Sequence, residues 1–207
     1  MMRTVGIYVF DEIEVLDLGG PFEVFSVAAR VKARLEPGSP PPFQVFTVGR
    51  TPAPVTARGG LRVLPAYAFV DHPPIDLLVI PGGVVTAELK EPTVISWITQ
   101  AATRAEVIAG VCTGSFLLAE AGLLDGKRAT THWEDLADLR AAYPRVLVEE
   151  NTRWIQDGEL FTSAGITAGI DLALELVARL ESPTLAQATA RQMDYAWGNW
   201  SKDTPGT

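Results

Sequence analysis

Four short apolar runs, three of them closed by a turn containing glycine or proline, constrain what this chain can fold into more than any other feature. Val5–Phe10, Phe43–Val48, Ile75–Ile80 and Val107–Val111 are rich in Val, Ile, Leu and Phe and read as short strands; Ile75–Ile80, broken only by Asp76, has the near-continuous apolar character of one covered on both faces. Helical periods stand between and after them: residues 92–104, 116–121, 133–143, 167–180 and 183–195 each carry apolar positions at helical spacing. Buried strands alternating with helices predict an α/β fold, a doubly wound and mostly parallel sheet flanked by helices. In such a sheet, sites form at the carboxyl ends of the strands.

Local signals sharpen this outline. Asp11-Glu12-Ile13-Glu14 has capping-box spacing and predicts a helix start with Asp11 as N-cap. Ile13, Asp17, Gly20 and Val24 then share one helical stripe, which turns Asp17 toward the apolar side, while Pro21 predicts a bend or restart. Residues 36–42 hold four prolines and one glycine and predict a surface loop. Val55–Leu64, broken by Gly59-Gly60, suggests a hairpin. Asp157-Gly158 predicts a second one, flanked by Val146–Glu149 and Glu159–Thr162.

Composition excludes several function classes. With 207 residues and 47% hydrophobic content, the chain is expected to form one domain, residues 1–207. A formal charge of −8 without basic runs argues against nucleic acid as a partner. Every apolar run stops well short of the roughly 18 residues a membrane span needs, so no membrane partner is expected. One cysteine cannot form an internal disulfide, and the N-terminus begins strand-like rather than with a secretory segment, so a cytoplasmic setting is expected. His72 and His132 lie sixty positions apart and near no second cysteine, which predicts no metal.

The lone cysteine is placed where chemistry is most accessible. In Gly110-Val111-Cys112-Thr113-Gly114-Ser115 a strand gives way at once to a helix, and small neighbours permit a sharp turn that projects the side chain. Helix amides favour a thiolate there, which marks Cys112 as a candidate nucleophile. The alternative is an inert core thiol. Asp17, on its apolar stripe near that sulfur, is the candidate general acid or base; it competes with a reading as a local cap. The Thr113 amide and one from Gly82 or Gly83, after the Ile75–Ile80 strand, are candidates to hold a developing anion; Gly82-Gly83 could equally be a plain loop. His132 beside Trp133 reads as structural in preference to a base. Trp197 and Trp200 hint at an interface.

Four segments together resemble a known family: L-D-L-G-G-P around Asp17, D-L-L-V-I-P-G-G ending at Gly83, the stretch from Gly110 to Trp133, and A-G-I-T-A-G-I-D at residues 164–171. In this order they are similar to the DJ-1/PfpI superfamily, most of all its isonitrile hydratase branch, from about residue 4 to residue 181. The resemblance implies a flavodoxin-like fold of the class I glutamine amidotransferase type, a homodimer, a small-molecule substrate and no cofactor. It implies that Cys112 attacks the terminal carbon of an isonitrile, that a thioimidate forms, and that water releases an N-substituted formamide. By position, Asp17 is then the acid/base partner, Thr113 assists after the nucleophile, and the backbone of Ile166 lies near the sulfur. Thr113 stands where peptidase-like and deglycase-like members carry histidine, and Asp17 where several members carry glutamate; both point to the hydratase branch. Ala164 replaces a frequent glycine and is expected to reshape the pocket. Two alternatives remain: a non-catalytic ligand or redox sensor, and a glyoxalase- or deglycase-like enzyme acting on reactive carbonyls. A DNA-binding regulator of the related type needs a helix-turn-helix module after the sensor domain, and residues 181–207 are too few and not basic.

Overall fold

The computed structural model describes residues 2–198. In chain order the elements are β1 (Arg3–Val9), α1 (Val15–Leu35), β2 (Phe43–Gly49), β3 (Val55–Thr56), β4 (Arg62–Val63), β5 (Tyr67–Ala68), β6 (Leu77–Ile80), α2 (Pro92–Ala102) and β7 (Val107–Val111). They continue with α3 (Gly114–Glu120), β8 (Arg128–Ala129), α4 (Leu136–Ala142), β9 (Leu147–Val148), β10 (Trp154–Asp157), β11 (Leu160–Ser163), α5 (Ala168–Leu180) and α6 (Pro183–Gln192).

Seven strands form one sheet in the order β10-β11-β7-β6-β1-β2-β5, parallel except for the β10–β11 hairpin at one edge. Val5 pairs with Val45 on one side and Leu77 on the other, which puts the apolar run of β1 at the centre of the sheet. Every residue of β6 and β7 is buried, as the continuous apolar runs require of strands covered on both faces. Helices α1, α5 and α6 pack on one another, while α2 and α3 pack together. The strands β11, β7, β6 and β1 are neighbours, so the loops leaving their carboxyl ends meet along one rim.

Several local expectations change. Asp11 does not cap α1: its Oδ1 accepts the Thr56 N–H at 2.7 Å, and Glu14 occupies the N-cap position without a side-chain cap. The β3–β4 hairpin competes for Asp11 and wins, because Glu12 turns to φ 66° and sends the chain past the hairpin first. Pro21 neither stops nor restarts α1, which runs unbroken from Val15 to Leu35. A proline costs one backbone bond, here to the Asp17 carbonyl, and the buried face of α1 outweighs that loss. The Asp157-Gly158 turn does form a hairpin, but its first arm is Trp154–Asp157; Leu147–Val148 pairs with β8 instead. The start of the 133–143 helix is a 3-10 turn, Trp133–Asp135, before α4. Trp197 packs partly buried against the core, and Trp200 lies outside the described residues. Among the described residues, no helix is long and apolar enough to cross a membrane.

Candidate functional site

Four neighbouring strand ends bring together Asp17, Gly82-Gly83, Cys112-Thr113 and Ile166. Cys112 follows β7 directly and takes φ 56°, the left-handed region that an L-residue occupies only when its surroundings enforce it. They enforce it from both sides. The Cys112 N–H donates to the Ser163 carbonyl at 3.1 Å, and the Cys112 carbonyl accepts the Thr131 hydroxyl at 2.9 Å. Ser115 donates to the Thr130 carbonyl at 2.7 Å, and the Thr130 N–H donates to Thr162 Oγ1 at 2.9 Å, so the Thr130–Thr131 segment is itself fixed. A Cβ at Gly114 would lie 2.0 Å from the Ile80 carbonyl oxygen, which shows how closely α3 starts against β6.

Gly82 and Gly83 hold the acid and the threonine. The Gly82 N–H donates to Asp17 Oδ2 at 3.2 Å. The Thr113 hydroxyl bridges Gly83, accepting its N–H and donating to its carbonyl, both at 2.9 Å. Neither glycine amide faces open space, so the expectation that one of them meets a developing anion gives way to a scaffolding position. A side chain cannot replace Gly82, because a Cβ would stand 2.6 Å from both Thr113 N and Oγ1 and 2.9 Å from Asp17 Oδ2. The backbone amides of Thr113 and Ile166 pull the Cys112 pKa down, against its burial.

Asp17 is fully buried, and its Oδ1 has no hydrogen-bond partner among the described residues. Burial raises its pKa from 3.8 to about 7, against the opposing pull of the Gly82 amide, the Cys112 side chain and the Ile166 amide. The contact with Cys112 falls short of hydrogen-bond geometry, yet each group shifts the other. Cys112 is 6% exposed. Burial, then the Asp17 charge, pushes its thiol up to about 12, although the Thr113 and Ile166 amides favour the thiolate. This shift runs against the sequence expectation of a thiolate at rest. Desolvation and a carboxyl neighbour outweigh the amides of a helix start only seven residues long.

His132 closes one wall. A Cβ on Gly165 would lie 2.0 Å from its Cδ2, and its Nδ1 accepts the Glu134 N–H at 3.3 Å as the N-cap of the 3-10 turn. That is a structural placement. Ile166, at φ 52°, is 39% exposed, and Trp133, whose ring lies against His132, is 72% exposed. Ala164 donates its N–H to the Arg153 carbonyl at 2.9 Å. Two surface clefts of about 640 and 370 Å³ lie elsewhere, along α2 and beside His72 and Trp97. Among the described residues, no group of three or more His, Cys, Asp or Glu is arranged to hold a metal ion.

Sequence reasoning missed the supports. Thr131, Thr130, Ser115 and the Arg153–Asp171 pair were not singled out, although Thr130-Thr131 lies inside the Gly110–Trp133 stretch and Asp171 ends the A-G-I-T-A-G-I-D segment. A threonine pair between the Asp125-Gly126 turn and the next helix, and an acid on the buried face of a helix, were the available signals.

Comparison with known proteins agrees with this arrangement. The DJ-1/PfpI family model matches residues 3–179. The isonitrile hydratase of Pseudomonas putida is 38% identical over 199 residues, 95% of this chain and 80% of that protein. The HTH-type transcriptional regulator CdhR of Pseudomonas aeruginosa is 38% identical over 139 residues, which span 67% of this chain and 41% of the regulator. A THiJ/PfpI family protein from Pseudomonas syringae superposes with a TM-score of 0.83 at 27% identity, covering 99% of this chain and 80% of that one. With its strand order, its buried cysteine at the end of β7 and a family match over most of its length, the chain belongs to the DJ-1/PfpI family.

Proposed function

We propose that the protein is a cysteine-dependent hydratase that converts isonitriles to N-substituted formamides. One observation carries the reading: a fully buried carboxyl, poised near neutrality and with one oxygen unpartnered among the described residues, sits against the chain's single cysteine. Such a carboxyl can both take and give a proton at physiological pH. The resting thiol is a poor nucleophile, so its activation is internal. As the sulfur bonds to the terminal isonitrile carbon, Asp17 relays the thiol proton to that carbon, giving a thioimidate, Cys112–S–CH=N–R. Water then adds to the same carbon, with Asp17 as base. The S–C bond breaks, the sulfur regains its proton, and R–NH–CHO leaves. The sum is one isonitrile and one water to one formamide, with no redox step.

Thr113 and Ile166 offer N–H groups to the sulfur and to charge that develops beside it. Gly82 and Gly83 keep Asp17 and Thr113 in place. The similarity to the Pseudomonas putida hydratase supports the same assignment. The test is incubation with a simple alkyl or aryl isonitrile, following formamide by chromatography. Turnover is expected in the wild type and a loss of roughly 10³-fold or more in Cys112→Ala and Asp17→Asn. Full activity in either variant overturns the assigned roles. Ligand binding with no turnover of any isonitrile favours the sensor reading suggested by the regulator similarity.

A further inference from the structure

The turn that delivers the Ile166 amide is gripped from outside the site. β11 ends at Ser163 and α5 begins at Ala168, so residues 164–167 alone carry the chain from sheet to helix. Among them Ile166 holds φ 52°, a strained state for a β-branched residue that persists only when its surroundings over-determine it. Arg153 touches this turn on both sides of Ile166. Its carbonyl accepts the Ala164 N–H at 2.9 Å, and its guanidinium donates to Thr167 Oγ1 at 3.3 Å. The same guanidinium lies on Asp171, one helical turn further on, with Nε 2.8 Å from Oδ2 and Nη2 on the same oxygen. Asp171 is 3% exposed, and its other oxygen accepts the Tyr195 hydroxyl at 3.0 Å. A buried carboxylate engaged through both oxygens is a fixed anchor, and the planar arginine fork carries that fixity to the turn.

We propose that Arg153, anchored by Asp171, is a positioning residue for the reactive centre: it fixes the 164–167 turn so that the Ile166 N–H stays aimed at the sulfur and the Asp17 carboxyl. The proposal rests on the reading of Cys112 as the nucleophile. Its readout, alkylation of the sulfur, does not depend on which substrate is turned over. A purely structural ion pair holding α5 would leave that chemistry unmoved.

Three variants in the full chain test it. Arg153→Lys keeps a positive charge beside Asp171 but lacks the fork that reaches Thr167 as well. Thr167→Val keeps the shape and removes the acceptor, and Thr167→Ser restores it. The second-order rate of Cys112 alkylation by iodoacetamide is followed against pH, together with Tm. Arg153→Lys and Thr167→Val are expected to slow alkylation by roughly three- to tenfold, as a parallel downward offset of the rate–pH profile from about pH 7 to about pH 9, because a misaimed amide stabilises the thiolate less. Thr167→Ser is expected to keep the wild-type profile, with Tm within about 4 °C throughout. An unchanged profile in either Arg153→Lys or Thr167→Val overturns the proposal, and so do losses that merely follow Tm. If Arg153→Lys does not fold, the comparison of Thr167→Val with Thr167→Ser decides alone. A wild-type protein that hydrates no isonitrile but shows these shifts would remove the hydratase reading and leave the positioning role standing.

Discussion

The buried carboxyl of Asp17 makes the stability of the fold depend on pH in a way that one isosteric substitution removes. Its pKa rises from 3.8 to about 7 on folding, chiefly through burial. Between those values the folded state keeps a proton that the unfolded state has released. Stability therefore falls as pH rises through this interval and levels off above about pH 7. At ~1.36 kcal/mol per unit of pKa difference, the full penalty is about 4 kcal/mol. Asparagine has nearly the same shape, can accept the Gly82 N–H that now reaches Asp17 Oδ2 at 3.2 Å, and does not ionise. Urea unfolding of the wild type and Asp17→Asn, measured from about pH 4.5 to about pH 8, isolates the contribution of this one carboxyl. The stability difference in favour of Asp17→Asn is expected to grow by about 3 kcal/mol across that range and to flatten at its upper end. Parallel curves for the two proteins, or a difference that shrinks with rising pH, would refute the claim that Asp17 is a desolvated, proton-holding acid.

Two further outcomes follow from close packing at the site. Gly82→Ala places a methyl group 2.6 Å from Thr113 N and Oγ1, where the contacts are backbone and a hydroxyl held by two hydrogen bonds to Gly83. It is expected to destabilise the fold by about 1–3 kcal/mol and to slow Cys112 alkylation at least tenfold or so, measured by urea unfolding and mass spectrometry. Ser163→Ala removes a buried hydroxyl that has no partner among the described residues and leaves its carbonyl free to accept the Cys112 N–H. That variant is expected to be neutral or more stable by up to about 1 kcal/mol in thermal and urea unfolding, and a loss beyond that would reveal a partner for the hydroxyl.

Much of the architecture was legible because burial on both faces writes itself into composition. Ile75–Ile80 and Val107–Val111 have almost no polar alternation, and both lie at the middle of the sheet. The errors were local ones. Asp11 had capping-box spacing but found a better acceptor role on the β3–β4 hairpin, and Pro21 was carried through α1 by packing that a propensity scale does not see. The wrong first arm for the Asp157-Gly158 hairpin had a similar source: Val146–Glu149 is as strand-like as Trp154–Asp157, and only β8 nearby decides between them.

The site divides the same way. Residue types and their place at strand ends bring Cys112, Asp17, Thr113, Gly82 and Gly83 forward as candidates, because short-range chemistry sets which residues are able to serve as nucleophile, acid or close-packed turn. The ionisation of those groups was beyond any local reading. Whether the helix-start amides or the surrounding apolar mass governs Cys112 depends on how deeply the sulfur is buried and on which side Asp17 approaches it, and both are sums over distant parts of the chain. The same holds for the commitment of the Gly82 and Gly83 amides, and for the grip of Arg153 on a turn eleven to fourteen residues away. Sequence determined the elements, their order and the chemically able residues; tertiary structure alone decided their protonation and their aim, because electrostatics and packing act through space rather than along the chain.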